Sequence, residues 1–391
     1  MLPMTRWIAA GGAFVVSLDS MVNIAFPAIA AGFALPPESM RWVIMCYVFT
    51  YSLVSFGGGA LSDRVGHARV FSTGLAVTAL AFVLAAMAPA FGWLLGARVL
   101  QGVGGGMIYG TAPGIITLAA DPSARGRALG FLNAAIGVAF IIGPIAAGAL
   151  VESSGWRSVF GARVPVALGM LVWTWLALPV VTATASYRRV AIADLTRSRV
   201  LHPCALAFVA NAGIFAIWLL VPFYLVQHRG HDAVVSGALF MLTPLGTAVA
   251  APLAGRVADG LGARLPSILG LAIEAAGLLL LSQATRSTPA MGVAAALFAA
   301  GFGVGLFQVP NMSAVMGAFP ASQQGAAGGL AFMARTLGIV TGVATLSQIF
   351  ASLRERGFEV AFTASFVVAG AAVLAATAAA CLPVAQDRAK P

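Results

Sequence analysis

The sequence predicts an all-α membrane protein: twelve transmembrane helices arranged as two pseudo-symmetric six-helix bundles. Three observations carry that expectation. Hydrophobic residues make up 60% of the 391 and charged residues only 9%, with a mean hydropathy of +0.96. A soluble domain carries about 25% charged residues, so this much apolar surface calls for lipid as its solvent. Apolar runs of about 20 residues, the length a helix needs to cross a bilayer, recur along the whole chain. Finally, one charged register occurs twice, as Gly59-x3-Asp63-x2-Gly66 and Gly255-x3-Asp259-x2-Gly262, offset by 196 residues, so one half reads as a copy of the other.

Taken in order, the apolar runs place spans near 7–30, 41–62, 70–90, 92–119, 126–151 and 158–181 in the first half. The second half repeats with 203–227, 234–256, 265–284, 288–317, 325–350 and 360–383. Interior prolines (Pro113, Pro144, Pro165, Pro222, Pro244, Pro310) are tolerated in membrane helices better than in soluble ones. The first run is longer than a signal-peptide core and contains Asp19, so it reads as a retained helix. The stretch Gly57–Phe71 is a hinge between two spans: its glycines allow close helix contact, and Asp63, Arg64, His67 and Arg69 stay in water. The long polar interval from Thr182 to His202 reads as a linker, giving an N-terminal bundle over 1–183, a cytoplasmic linker over 184–202 and a C-terminal bundle over 203–391.

Charge placement excludes several function classes. The net charge of +10 comes from basic residues standing singly or in pairs between apolar runs, without the basic stripe or interleaved aromatics that nucleic acid requires. Cys46, Cys204 and Cys381 lie far apart and read as lone thiols. The four histidines give no metal spacing, no nucleophile–base–acid constellation stands out, and the sequence therefore implies no cofactor, no metal and no enzyme. Placing the N-terminus inside puts 13 Lys and Arg residues in cytoplasmic loops and termini. Seven then fall outside (Arg41, Arg157, Arg163, Arg229, Arg286, Arg354, Arg356), with Arg98 and Arg335 in the membrane. By the positive-inside rule both termini are cytoplasmic.

Four ionisable residues fall well inside spans: Asp19, Arg98, Glu274 and Arg335. Each costs about 2.5–3.5 kcal/mol at a helix centre on insertion scales, so each calls for a partner or a task. Asp19 and Asn23 stand four apart on one face of the first helix. Arg98, Gln101 and Tyr109 share a face of the fourth. Asn211, Phe215 and Trp218 share one of the seventh, and Gln308 and Asn311 lie three apart in the tenth. In two three-helix-repeat halves these stripes would line one central cavity. The alternative for Asp19 and Arg98 is a purely architectural ion pair. Glu274 shares a face with Ser267, Gly270 and Gly277, a small-residue stripe that makes helix packing as good a reading as coupling. Arg335 shares its side with Gly328, Gly338 and Gly342 and points into the bundle.

At these residues the chain resembles the major facilitator superfamily, and within it the drug:proton antiporters. Gly59-Ala-Leu-Ser-Asp63-Arg64-Val-Gly66-His-Ala-Arg69 resembles the superfamily's loop 2–3 signature, with His67 and Ala68 in place of basic residues. Arg98-Val-Leu-Gln101-Gly102-Val-Gly104-Gly105-Gly106 is similar to the fourth-helix signature, whose arginine is implicated in proton coupling. Gly130-x8-Ala139-x3-Gly143-Pro144-x2-Ala147-Gly148 resembles the fifth-helix antiporter signature, with Ala for Gly at two positions. Trp156-Arg157-x2-Phe160, Val164-Pro165, Phe307-Gln308-Val-Pro310-Asn311 and Gly325-Ala-Ala-x-Gly329 are similar to segments of the branch that usually has fourteen helices. Here the linker leaves no room for the extra pair. The first-helix signature, Leu18-Asp19-Ser-Met-Val-Asn23-Ile-Ala25-Phe-Pro27, is one residue short between Asp and Pro and lacks the family's threonine.

The resemblance implies a monomer in the bacterial inner membrane whose partners are protons, a small-molecule substrate and the bilayer. Its halves would rock about a midplane site in proton-coupled efflux of lipophilic or cationic compounds. Asp19, Arg98 and Glu274 are the candidates for coupling. Asn23, Gln101, Tyr109, Asn211, Phe215, Trp218, Gln308, Asn311 and Arg335 are the candidates for the substrate cavity. The loop signature, with Asp63 facing the start of helix 11 near Gln324 and Gly325, would latch the outward-open state, and Gly143 with Pro144 would let helix 5 bend. Two alternatives stand beside this: proton-linked or passive uptake of a metabolite, and a sensor or scaffold that keeps the fold without transporting.

Overall fold

The computed structural model describes residues 2–35, 39–121, 124–177, 192–231 and 233–382. Arg188, Arg189, Arg388 and Lys390, and the linker from 184 to 191, lie outside the described residues. Within them the chain is helical, with no strand. The first span is a composite: α1 (Leu2–Ser17), a 3-10 turn (Leu18–Ser20) and α2 (Met21–Gly32). Then come α3 (Met40–Val65), α4 (His67–Ala86), α5 (Phe91–Leu118) and α6 (Arg125–Ser154). The sixth span is split into α7 (Arg157–Gly161) and α8 (Arg163–Ala177). The break has a local cause: Pro165 has no N–H to return to the carbonyl of Gly161 four residues back.

After the short α9 (Ile192–Leu195), α10 (Ser198–Phe223) begins inside the polar interval and ends in a π-turn at Tyr224–His228. The rest are α11 (Ala233–Phe240), α12 (Leu242–Leu261), α13 (Arg264–Ser282), α14 (Ala290–Gly317), α15 (Gln324–Leu353) and α16 (Phe358–Cys381). Eleven of the resulting segments are long and apolar enough to cross a membrane. The twelfth, α5, is 28 residues long, and its glycines, Arg98 and Gln101 lower its hydropathy.

The chain divides into two compact units, Met1–Asp194 with Met316–Met333 and Leu195–Val315 with Ala334–Pro391. Each is held by glycines at helix crossings. In the first unit, Cβ atoms added at Gly102 and Gly106 of α5 would meet the carbonyls of Tyr47 and Tyr51 of α3 at 2.8 and 2.9 Å, and one at Gly104 would meet the carbonyl of Gly74 of α4 at 2.7 Å. In the second unit, Gly301 and Gly305 of α14 meet the carbonyls of Thr243 and Thr247 of α12 in the same way. Gly303 likewise meets Gly270 of α13. Backbones approach this closely only where no side chain intervenes, so the repeat of the charged register extends to its supporting crossings. Both copies of the register also stop their helix alike: Gly66 ends α3 at φ +99° and Gly262 ends α12 at φ +81°, a left-handed conformation that costs glycine little.

Candidate functional site

The first unit gathers a buried charge cluster around Asp19. That residue sits on the 3-10 turn between α1 and α2, held in place from α6: Ser20 Oγ donates to the Ala139 carbonyl at 3.3 Å, and a Cβ at Gly143 would approach Ser20 Oγ to 2.3 Å. The glycine of the fifth-helix signature thus lets α6 press against the turn that carries the acid. Pro144 follows it inside α6.

Arg98 of α5 donates to both carboxylate oxygens of Asp19, Nη1 to Oδ1 at 2.5 Å and Nη2 to Oδ2 at 2.8 Å. This is a bidentate pair, the strongest geometry available to these groups. The rest of the guanidinium is also engaged. Its Nε donates to the Val43 carbonyl at 3.0 Å, Nη1 donates to Gln101 Oε1 at 2.7 Å, and the ring of Tyr47 lies 4.4 Å from Cζ. Val43 and Tyr47 are one turn apart on α3, so one helix face supplies both an acceptor and a ring. Gln101 closes the triangle by donating from Nε2 to Asp19 Oδ1 at 2.8 Å.

A fourth member was not foreseen. Arg163, which the charge count assigned to an external loop, is 1% exposed and donates from Nη1 to Asp19 Oδ1 at 3.2 Å. This burial has a clear physical origin. The break at Ala162 starts α8 at Arg163, and the guanidinium is held by the Val159 carbonyl through Nε and lies 4.4 and 4.9 Å from the rings of Phe82 and Phe160. Phe160 and Arg163 stand three apart, which is the one signal in the sequence; Phe82 comes from α4 and has none. The deep charges are therefore at least five, and the acid expected to pair with Arg98 alone is shared by two guanidiniums.

Asn23 is exposed and is not among the partners of Asp19. Tyr109 is buried, hydrogen-bonds with Ser17 at 2.7 Å and stacks on Phe332 at 4.6 Å. Through Tyr51 it joins Tyr47 in an aromatic series, with centroids 4.9 and 5.7 Å apart, that leads to Arg98.

Elsewhere in the same unit, Asp63 accepts from the backbone N–H groups of Gly325 and Ala326, both at 2.8 Å. The carboxylate caps the first turn of α15, where orphan N–H groups and the helix dipole favour negative charge. Gly59 permits the approach, since its Cβ would lie 2.0 Å from the Gly325 carbonyl. His67 shares a 2.8 Å hydrogen bond with Ser62 and lies 3.6 Å from Asp63, while Arg64 and Arg69 are exposed.

In the second unit Gln308 donates to Asn211 at 3.3 Å and Asn311 to the Pro203 carbonyl at 3.0 Å. Phe215 stacks on Trp218 at 6.0 Å, and Trp218 meets Phe240 edge-on at 4.9 Å. Glu274 is apart from them. It is fully buried where α13 crosses α14 at Gly303, and neither carboxyl oxygen has a hydrogen-bond partner. Arg335 and Asp259 are half-buried. Among the described residues no group of three or more His, Cys, Asp or Glu could hold a metal ion.

Residues 8–343 match the model of the Major Facilitator Superfamily. The chain belongs to that superfamily. It is an integral membrane transporter of small molecules and not an enzyme. Among curated relatives it is 25% identical to "Riboflavin transporter RibZ" of Clostridioides difficile, covering 92% of this chain and 90% of that one. It is 27% identical to "Multidrug resistance protein Stp" of Mycobacterium tuberculosis, covering 88% and 75%. Among solved structures it superposes on the superfamily transporter FucP, in the outward conformation, with a TM-score of 0.76 at 15% identity over 98% of this chain and 99% of that one. The superfamily transporter also superposes on the human organic anion transporter MFSD10 with a TM-score of 0.75 at 16% identity, over 97% and 99%. These two likenesses speak to fold alone.

Proposed function

We propose that this superfamily member is a proton-coupled exporter of small lipophilic compounds, with Asp19 as its proton site. The observation that carries the reading is the buried cluster of Asp19, Arg98, Gln101 and Arg163. Apolar surroundings oppose a carboxylate and adjacent guanidiniums favour it, so a small movement of either arginine decides whether Asp19 holds a proton. Export is supported by the name of the multidrug-resistance relative and by the fifth-helix signature, whose Gly143 abuts the turn bearing Asp19. The two bundles would expose the site alternately to each side. Asp63, bound to the first turn of α15, would hold one of these states closed. The transmembrane potential contributes about 2.3 kcal/mol per proton per 100 mV.

The test is transport in proteoliposomes with an imposed pH gradient across a panel of lipophilic compounds. Asp19→Asn should abolish gradient-driven accumulation while the protein still folds, because a neutral amide is less costly to bury than a carboxylate. Full gradient-driven transport by Asp19→Asn, with its loss in Glu274→Gln, would move the coupling site to the second unit. The second reading, proton-linked uptake, is favoured by the riboflavin-transporter relative. It predicts that substrate accumulates on the side the protons enter.

A further inference from the structure

We propose that Arg163 sets the charge selectivity of the transported compound. It excludes permanent cations and seats an oxygen acceptor on its free guanidinium nitrogen. The inference rests on the reading of the Asp19 cluster as the transport site, and three observations carry it.

The first is the charge balance. One carboxylate faces two guanidiniums, with Asp19 receiving hydrogen bonds from Arg98 and Arg163 alike. The cluster is therefore net positive when Asp19 is ionised and more so when it is protonated. A cation brought within a few ångströms meets repulsion in both states, enough to cost roughly tenfold or more in affinity at the effective dielectric of a protein interior.

The second is an unmet donor. Arg163 is 1% exposed, its Nε and Nη1 are bonded, and its Nη2 has no hydrogen-bond partner. Burying an N–H of a charged group without an acceptor is costly, and a buried guanidinium donor is a directed demand for an anionic or carbonyl oxygen.

The third is that the surrounding rings cannot meet that demand. The guanidinium carbon lies over the rings of Phe82 and Phe160, 4.4 and 4.9 Å from their centroids. A ring engages the face of the guanidinium, whereas the N–H bonds lie in its plane. Arg98, by contrast, places Nε, Nη1 and Nη2 on the Val43 carbonyl, Gln101 and Asp19. Arg163 is thus the cluster's open position, and its ring-lined setting suits an aromatic or lipophilic compound bearing an acceptor oxygen.

Three probes that share one ring system and differ in charge test this: naphthoate, naphthamide and naphthyl-trimethylammonium, with binding read by fluorescence on the purified full chain. The wild type is expected to bind the carboxylate and the amide at least ~10-fold more tightly than the ammonium compound. Arg163→Gln should bring the three within a few-fold of one another. Arg163→Lys should still exclude the ammonium compound while weakening the carboxylate, because lysine keeps the charge and loses the planar donor.

Equal or tighter binding of the ammonium probe by the wild type, binding of none of the three, or an unchanged preference in Arg163→Gln would overturn the proposal. Should Arg163→Gln not fold, the wild-type preference and Arg163→Lys still decide it. Proton-linked flux in the Asp19→Asn protein separates the two claims. If it persists while selectivity follows Arg163, the proton assignment alone fails. If it vanishes while selectivity ignores Arg163, this inference alone fails.

Discussion

Glu274 puts a carboxyl group where the first unit has a hydroxyl. Its counterpart under the 196-residue repeat is Thr78, which α4 packs against Gly104 just as α13 packs Glu274 against Gly303. Both side chains carry buried oxygens without partners. A helix crossing is a poor place for a group that must exchange protons with substrate or water, and a buried unsatisfied polar group costs about 1–3 kcal/mol. Glu274→Gln should therefore keep gradient-driven transport, and Glu274→Met should raise unfolding stability by about 1–3 kcal/mol, read as a higher Tm in detergent. A loss of coupling in either variant would contradict this. Arg98→Ala should shift the pH profile of transport upwards, since removing a cation from beside Asp19 lets it take a proton at higher pH. An unmoved profile in a folded variant would count against Asp19 as the titrating group. At this scale the sequence singled out Asp19, Arg98 and Gln101 as deep polar residues on neighbouring stripes, and the structure brings the three together. Arg163 escaped because it lies near the end of an apolar run, where a count of loop charges takes every arginine as solvated. Only the position of α8 relative to Phe82 reveals its burial, and that is a long-range packing fact.

Between elements, the contact that matters most is the one from the end of α3 to the start of α15. Two backbone N–H groups converge on Asp63, and such a capped helix start is worth about 0.3–1 kcal/mol exposed and up to about 2 kcal/mol when partly buried. Asp63→Asn should therefore loosen the contact several-fold without abolishing it. Spin labels at the exposed positions Val65 and Ala321 would report a broadened distance distribution, and an unchanged one would rule out the capping role. Gly59→Ala should act more strongly, because its methyl group would fall 2.0 Å from the Gly325 carbonyl and backbone must move. The glycine–aspartate register was legible in the sequence because it occurs twice. That its aspartate faces the start of α15, over 260 residues away, was legible only through family resemblance. Spacing along one helix carries no information about which other helix it meets.

Across the whole molecule, the helices were legible because lipid imposes one rule on every span, a run of about 20 apolar residues. The split of the sixth span and the 3-10 turn of the first were not, since neither interrupts the apolar pattern of its run. With Arg163 buried, the arginine and lysine asymmetry sharpens to 13 inside against 6 outside, strengthening the expectation of two cytoplasmic termini. On a background with Cys46, Cys204 and Cys381 replaced by serine, a membrane-impermeant thiol reagent added outside sealed cells should label a cysteine at exposed Ser287 and spare one at exposed Arg256. The reverse pattern would invert the orientation.

The turn at Leu18–Ser20 has a mechanical meaning. A 3-10 segment winds about 120° and climbs about 2.0 Å per residue, against 100° and 1.5 Å in an α-helix. Rewinding these three residues as α-helix would unscrew α2 from α1 by about 60° and shorten the pair by about 1.5 Å. Asp19 is the middle one of those three residues, so rewinding them would turn its carboxylate relative to both guanidiniums at once, with neither arginine moving.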